Sequence, residues 1–231
     1  MFAIDHAATA LLVKRRYPTV PLAPLLIAVQ AMELAWVALT YLGIERTTTA
    51  TVVHSVADIH LTYMPYSHSI ATGVGAAALA WLVLEYGFAR PMVGRAIGLG
   101  VVSHLILDLA THAHDIVLWP GLTTPALGVG LYAAAPWAAF GVELVYGILC
   151  WRVYRGSRGL LAVIVVGNLA NLSFFAGAIP GPEHYLAGRP TLLVTLILLQ
   201  IVVTLVLVGV FARRPGPKPS GSATRSAALA A

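Results

Sequence analysis

Residues 191–212 read TLLVTLILLQIVVTLVLVGVFA, a run of 22 residues without a charged side chain. The hydrocarbon core of a bilayer is crossed by about 20 apolar residues in a helix, so this run is long enough to span a membrane. The whole chain is similar in character: 59% of its 231 residues are hydrophobic and 10% are charged, and its mean hydropathy is +0.85. A soluble domain has about 25% charged residues. The composition therefore indicates an integral membrane protein.

Six apolar stretches are candidate spans. Because only helices and closed barrels satisfy the backbone in lipid, their length and continuity predict helices. They cover about 22–43, 69–88, 96–112, 126–151, 158–179 and 191–212. Residues 3–13 predict a short N-terminal helix, either in the membrane interface or dipping into the bundle. The predicted fold is all-α, a polytopic membrane helix bundle of about six transmembrane helices over residues 1–212. A disordered basic cytoplasmic tail, 213–231, follows.

The basic residues predict how the chain is oriented. With six spans and a cytoplasmic N-terminus, twelve of the fourteen Lys and Arg residues fall in inner segments, and only Arg46 and Arg189 fall outside. Such a bias is typical of multi-pass proteins and predicts that both termini are cytoplasmic. It also accounts for the net charge of +5 without a nucleic-acid partner. The partners that we expect are membrane lipids and a small-molecule or lipid substrate.

One span carries an unusual number of ionisable groups. Residues 103–115 read SHLILDLATHAHD, and positions four apart on a helix share a face, so His104, Asp108 and His112 are predicted to form one stripe. Gly100 continues the stripe and would let another helix pack closely. Ionisable groups within a membrane are rare and usually mark a site or a pathway, although they also serve as hydrogen-bonding contacts between helices.

Two further residues are expected at the same depth. His68 lies at the outer mouth of the second span, above Thr72, Ala76 and Ala80, a small-residue face suited to packing, for instance against the Gly100 stripe. Glu33 lies in the middle of the first span, with Gln30 on the same face. Imidazoles and carboxylates converging from several helices are suitable ligands for zinc or another divalent metal.

Other polar residues are weaker candidates. Asp5 and His6 would join a site only if the N-terminal helix enters the bundle. Glu143 and Tyr146 suit a supporting or structural role, Asn168 and Asn171 suit bridges between helices, and Glu183 and His184 are expected in a solvated outer loop. His114 and Asp115 are expected in the loop after the third span.

With one cysteine, Cys150, the chain has neither an intrachain disulfide nor a cysteine metal cluster. It also lacks a Gly-rich phosphate loop followed by Lys, a GxSxG elbow, an HExxH motif and the repeated histidine boxes of membrane di-iron enzymes.

Residues 1–125 resemble a family of bacterial inner-membrane proteins described as metal-dependent hydrolases. The resemblance depends on the order of His6, Glu33, SHS (67–69) and SHLILD (103–108), with HAHDIVLWPG (112–121) similar to the ending of a subgroup. It differs at Glu33, where the family usually has two aspartates after a proline, and at YMPY (63–66), where it usually has His-Arg. The resemblance implies a metal-dependent reaction in the bacterial plasma membrane.

Two interpretations follow. The first is a metal-dependent hydrolase of a lipid-like or phosphoester substrate, with the metal, expected to be zinc, bound by His68, His104 and Asp108 in the outer half of the bilayer. Glu33 or His112 would be a fourth ligand or the catalytic base. The alternative is a non-enzymatic protein, in which the stripe is a proton or cation relay, part of a small transporter, or a polar seam between helices.

Overall fold

A computed structural model describes residues 1–50, 53, 55–122, 125–175 and 181–212. The predicted tail, 213–231, lies outside the described residues, as do His54 and the side chains of Glu183 and His184. The described chain is mostly helical, which confirms the all-α class. Its helices are α1 (Ala3–Arg16), α2 (Leu22–Val29), α3 (Ala31–Tyr41), α4 (Ile70–Leu82), α5 (Pro91–Thr111), α6 (Leu131–Ala134), α7 (Pro136–Tyr154), α8 (Arg158–Leu169), α9 (Leu172–Phe175) and α10 (Pro190–Phe211). Its strands are β1 (Arg46–Thr49), β2 (Ile59–Tyr63), β3 (Ile116–Val117) and β4 (Ala126–Leu127).

Several helices are long and apolar enough to cross a membrane. Four segments of the described chain meet this test by themselves: Ile70–Gly87, Pro91–Thr111, Arg158–Phe175 and Pro190–Phe211. The pair α2 and α3 adds a fifth if it forms one span, bent by 56°. The predicted stretch 126–151 corresponds to β4, α6 and α7, with a break at Ala135 before Pro136. The count of six spans therefore stays a prediction.

The N-terminal helix α1 lies inside the bundle, which resolves the alternative that the sequence left open. Residues 3–11 are all buried, and α1 contacts α2, α5, α7, α8 and α10. Glycines on the surrounding helices make this possible: a Cβ at Gly147 would lie 2.9 Å from Asp5 Oδ1, and a Cβ at Gly167 would lie 2.9 Å from Ile4 Cγ1. The bundle thus closes tightly around α1 and carries Asp5 and His6 into its interior.

The break between α2 and α3 falls at Gln30. The Gln30 amide Nε2 donates to the Ala3 carbonyl of α1 (2.8 Å), and the neighbouring Val29 carbonyl is 2.8 Å from His104 Nδ1 on α5. Side chains that bond to the backbone of a helix are an established cause of sharp bends. The bend therefore joins the first predicted span to both α1 and α5.

Helix α5 packs closely on two neighbours. Gly100 faces α2, where an added Cβ would lie 2.9 Å from the Ala28 Cβ. The expectation that the Gly100 stripe packs against the second span was therefore wrong. Helix α4 meets α5 through Gly73 and Ala77 instead, which are buried, whereas Ala76 is exposed. The packing face of α4 is one residue away from the predicted one, because Leu105 of α5 fills the space above Gly73.

The long connection between α3 and α4 contains a small antiparallel hairpin. Strands β1 and β2 pair Arg46 with Tyr63 and Thr49 with Ile59, and β3 and β4 form a second short pair beyond α5. Ser69, just before α4, bridges to Val117 of β3. This bridge brings the residues before α4 beside the end of α5, next to the candidate site.

Candidate metal centre

Six ionisable side chains from separate parts of the sequence meet in the interior of the bundle. They form three overlapping groups whose ligand atoms lie within 4.8 Å of one another: His6, His104 and Asp108; Glu33, His68 and His104; and His68, Asp108 and His112. We call these six residues the histidine cluster. It contains every residue that the sequence predicted as a ligand or base, and it adds His6. The N-terminal helix supplies this sixth member because it enters the bundle.

Asp108 lies at the centre of the histidine cluster. Its Oδ2 is 2.9 Å from His104 Nε2 and 3.7 Å from His68 Nε2. Its Oδ1 is 3.2 Å from His6 Nε2 and 3.8 Å from His112 Nε2, and it also accepts from the Met1 amino group (2.7 Å). The predicted i, i+4 spacing places His104 and Asp108 together on α5, whereas His112 is the capping residue beyond the end of the helix.

Glu33 closes the cluster from the side of α3. Its Oε2 is 3.4 Å from His68 Nε2 and 3.9 Å from His104 Nε2. The Glu33 side chain is 23% exposed, whereas those of His68, His104 and Asp108 are at most 1% exposed. Glu33 and His112 also line a cavity beside the cluster. They are therefore the two sequence-predicted residues best placed to meet a molecule that enters it.

The outer nitrogens of two histidines face hydrogen-bond acceptors. His104 Nδ1 is 2.8 Å from the Val29 carbonyl oxygen, and His112 Nδ1 is 3.4 Å from Asp115 Oδ1. Because a carbonyl or carboxylate oxygen can only accept, Nδ1 carries the proton when these bonds form. Nε2 of each neutral ring then presents a lone pair to the cluster, and metal-ligating histidines are oriented in this way.

His68 is oriented by a chain of two further residues. The buried Glu45 accepts from the backbone N–H groups of Tyr66 (2.8 Å) and Ser67 (2.9 Å) and from the Ser67 hydroxyl (2.6 Å). Since the Ser67 hydrogen is used on Glu45, its oxygen accepts from His68 Nδ1, 2.8 Å away. His68 Nε2 therefore also presents a lone pair to the cluster. Sequence reasoning missed Glu45, which precedes His68 by 23 residues and shares no motif with it.

Three inner atoms of the cluster lack hydrogen bonds. His68 Nε2, His104 Nε2 and Asp108 Oδ2 are buried and have no hydrogen-bond partner within the described ranges. Lone pairs that face a carboxylate repel each other unless a proton or a metal cation lies between them. Two ligands, each about 2.1 Å from a tetrahedral zinc ion, are about 3.4 Å apart, and the distances from Asp108 Oδ2 and Glu33 Oε2 to these nitrogens are 2.9–3.9 Å. These residues fit a divalent cation in donor type and in spacing.

The other acidic candidates belong to a second polar network, which includes Phe2 and the α1 residues Asp5 and Thr9. Glu143 accepts from the Tyr132 hydroxyl (2.5 Å) and the Phe2 N–H (3.3 Å), and Asp5 Oδ1 accepts from Asn168 Nδ2 (3.5 Å). Tyr146 bonds to Thr9 of α1 (2.7 Å). The network therefore holds α1 against α7 and α8, and Asn168 bridges helices as expected.

His114 and Asp115, which were predicted to lie in the loop after the third span, are not members of the histidine cluster. His114 is exposed, and Asp115 contacts only the outer nitrogen of His112 among the described cluster residues. Asn171, between α8 and α9, bonds to Gln200 of α10. No protein-family model, no curated protein and no solved structure matches this chain.

Proposed function

We propose that this protein is a metal-dependent hydrolase of the bacterial plasma membrane, with both termini in the cytoplasm and a metal site in the outer half of the bilayer. One observation carries the proposal: four imidazoles and two carboxylates converge inside the bundle, and the outer nitrogens of three of these imidazoles face hydrogen-bond acceptors. A polar seam between helices would pair donors with acceptors. His68 Nε2, His104 Nε2 and Asp108 Oδ2 instead bring three acceptors together, as a cation requires.

The residues divide into ligands and a base. His68, His104 and Asp108 are the proposed metal ligands. His6 is proposed as a further metal ligand, because its Nε2 lies 3.2 Å from Oδ1 of Asp108. A bound zinc ion would lower the pKa of its water to about 7 and polarise a carbonyl or phosphoryl oxygen. Glu33 or His112, both facing the cavity, accepts the proton of the attacking water. The water oxygen bonds to the acyl carbon or phosphorus, the bond to the leaving oxygen breaks, and that oxygen takes the proton.

The test is elemental analysis of the purified full-length protein. The wild type is expected to hold at least one equivalent of a divalent metal, and His104→Ala and Asp108→Ala are expected to lose it. His114→Ala is the matched control, because this exposed histidine lies two residues beyond the cluster. Wild-type protein without metal after purification in zinc-, manganese- and iron-supplemented media would overturn the proposal.

A second candidate is proton or cation transport. It is favoured by Asp5 of α1 and Glu143 of α7, which are buried ionisable residues outside the cluster. A transporter reconstituted in liposomes would carry a proton or cation flux that is lost in Glu143→Gln. The hydrolase proposal expects no such flux.

A further inference from the structure

A cavity of about 300 Å³ opens beside the histidine cluster. One of its walls is polar and is formed by His6, Glu33, His112 and Asp115. A molecule in this cavity would therefore touch the two side chains that we propose as the base. Small-molecule sites combine such a polar end with a larger apolar wall.

Another part of the cavity lining is apolar, and we call it the apolar wall. Helix α10 contributes Leu193, Leu196, Ile197 and Ile201, and Phe174 of α9 adds an aromatic ring. Its volume lies at the lower end of the range of small-molecule sites, about 300–1,000 Å³. That size suits one short chain and its polar linkage.

Two buried polar groups on this cavity have no partner. Trp36 is 1% exposed and Gln30 is 0% exposed, yet Trp36 Nε1 and Gln30 Oε1 form no hydrogen bond within the described part of the chain. Gln30, Glu33 and Trp36 follow one another at intervals of three residues, about 4.5 Å of helix rise per interval. An unpaired donor therefore lies one turn beyond the proposed base, between the cluster and the apolar wall.

We infer that the cavity binds a single-chain amphiphile, an ester or phosphoester of one acyl or alkyl chain. This inference rests on the proposed function, whose substrate class it names. The scissile group faces Glu33 and the cluster, the Trp36 N–H donates to an oxygen of the linkage, Gln30 Oε1 accepts from a hydroxyl of the head group, and the chain packs against α10 and Phe174.

The test measures binding to the full-length protein in nanodiscs by calorimetry. Octylphosphonate, which is not hydrolysed, is expected to bind at least tenfold more tightly than methylphosphonate. Ile197→Trp fills the apolar wall and is expected to lose this tenfold gain, with metal content and methylphosphonate binding unchanged. Leu199→Trp is the matched control, because Leu199 lies on the same helix but is 57% exposed. Equal octylphosphonate binding by Ile197→Trp and Leu199→Trp would overturn the inference and leave the proposed function intact.

A neutral probe separates the inference from the metal. 1-Monooctanoylglycerol is expected to bind wild-type protein stripped with EDTA, and Trp36→Phe, which removes only the N–H donor, is expected to bind it about three- to tenfold more weakly. If the wild type holds no metal, the hydrolase proposal fails, while this binding still supports the amphiphile site. If neither the wild type nor Leu199→Trp binds this probe, the inference is wrong even when metal is present.

Discussion

Replacement of Glu45 by Gln is expected to weaken metal binding although Glu45 does not touch the histidine cluster. In the wild type, the Glu45 carboxylate takes the Ser67 hydroxyl hydrogen, so Ser67 accepts from His68 Nδ1 and leaves Nε2 free for a ligand bond. A Gln amide keeps its oxygen for the Tyr66 and Ser67 N–H groups and turns its NH₂ towards Ser67. The Ser67 hydroxyl then donates to His68 Nδ1, and the ring proton moves to Nε2, facing the cluster.

The size of the effect follows from the bonds that change. Binding a metal to His68 in the Gln variant requires the proton to return to Nδ1, which leaves the buried Ser67 hydroxyl without an acceptor. An unsatisfied buried group costs about 1–3 kcal/mol, equivalent to a loss of about 5- to 150-fold in affinity. Removal of groups that orient metal ligands typically costs 10- to 100-fold. We therefore expect metal affinity about 10- to 100-fold lower for Glu45→Gln.

The assay is competition with a chromogenic chelator in detergent solution. Glu85→Gln is the matched control, because Glu85 pairs with Arg95 at the surface and makes no contact with the described cluster residues. Glu45→Ala removes the acceptor of two buried Ser67 groups and is expected to lower the free energy of unfolding by roughly 2–6 kcal/mol as well. Wild-type affinity in Glu45→Gln would refute the argument that Ser67 sets the tautomer of His68.

Two further predictions concern stability, measured as a shift in the thermal unfolding midpoint. Gly147→Val is expected to destabilise the bundle by about 1–3 kcal/mol, because an added Cβ would lie 2.7 Å from Ile164 Cγ2. The control is Gly141→Val, on the same helix and in open space. Equal midpoints for the two variants would contradict the close packing of α1, α7 and α8. Ser157→Ala is expected to cost about 1 kcal/mol, since Ser157 caps α8 by accepting from Leu160 N–H (3.1 Å). The control is Ser103→Ala, which is expected to leave the midpoint near that of the wild type, because this hydroxyl bonds back to Gly100 O of its own helix. A larger drop in the midpoint for Ser103→Ala than for Ser157→Ala would contradict the capping role of Ser157.

The parts of the site that could be predicted are those that depend on spacing within one helix. Four-residue spacing relates His104 to Asp108, and matching depth in two spans relates Glu33 to His104. The position of His6 could not be predicted, because the burial of a short helix depends on glycines 147 and 167 far along the chain. Glu45 could not be predicted either, since the hairpin of β1 and β2, which the sequence did not indicate, brings it to Ser67.

The fold shows the same division. Composition was sufficient to predict a mostly helical fold with helices apolar enough to cross a membrane. It does not report which small residues oppose which large ones, so the packing face of α4 was misplaced by one position. The bend at Gln30 depends on contacts with Ala3 and His104 on other helices, and no local residue such as proline marks it at that point.

The enclosure of α1 has a consequence for how the molecule is made. Helix α1 leaves the ribosome before every helix that surrounds it, and its partners α7, α8 and α10 are synthesised later than both α1 and α5. During synthesis, the burial of Asp5 and His6 is therefore completed only when the later helices close around α1. The six cluster residues lie within residues 6–112 and are synthesised first, so the ligands are made before the helices that enclose α1.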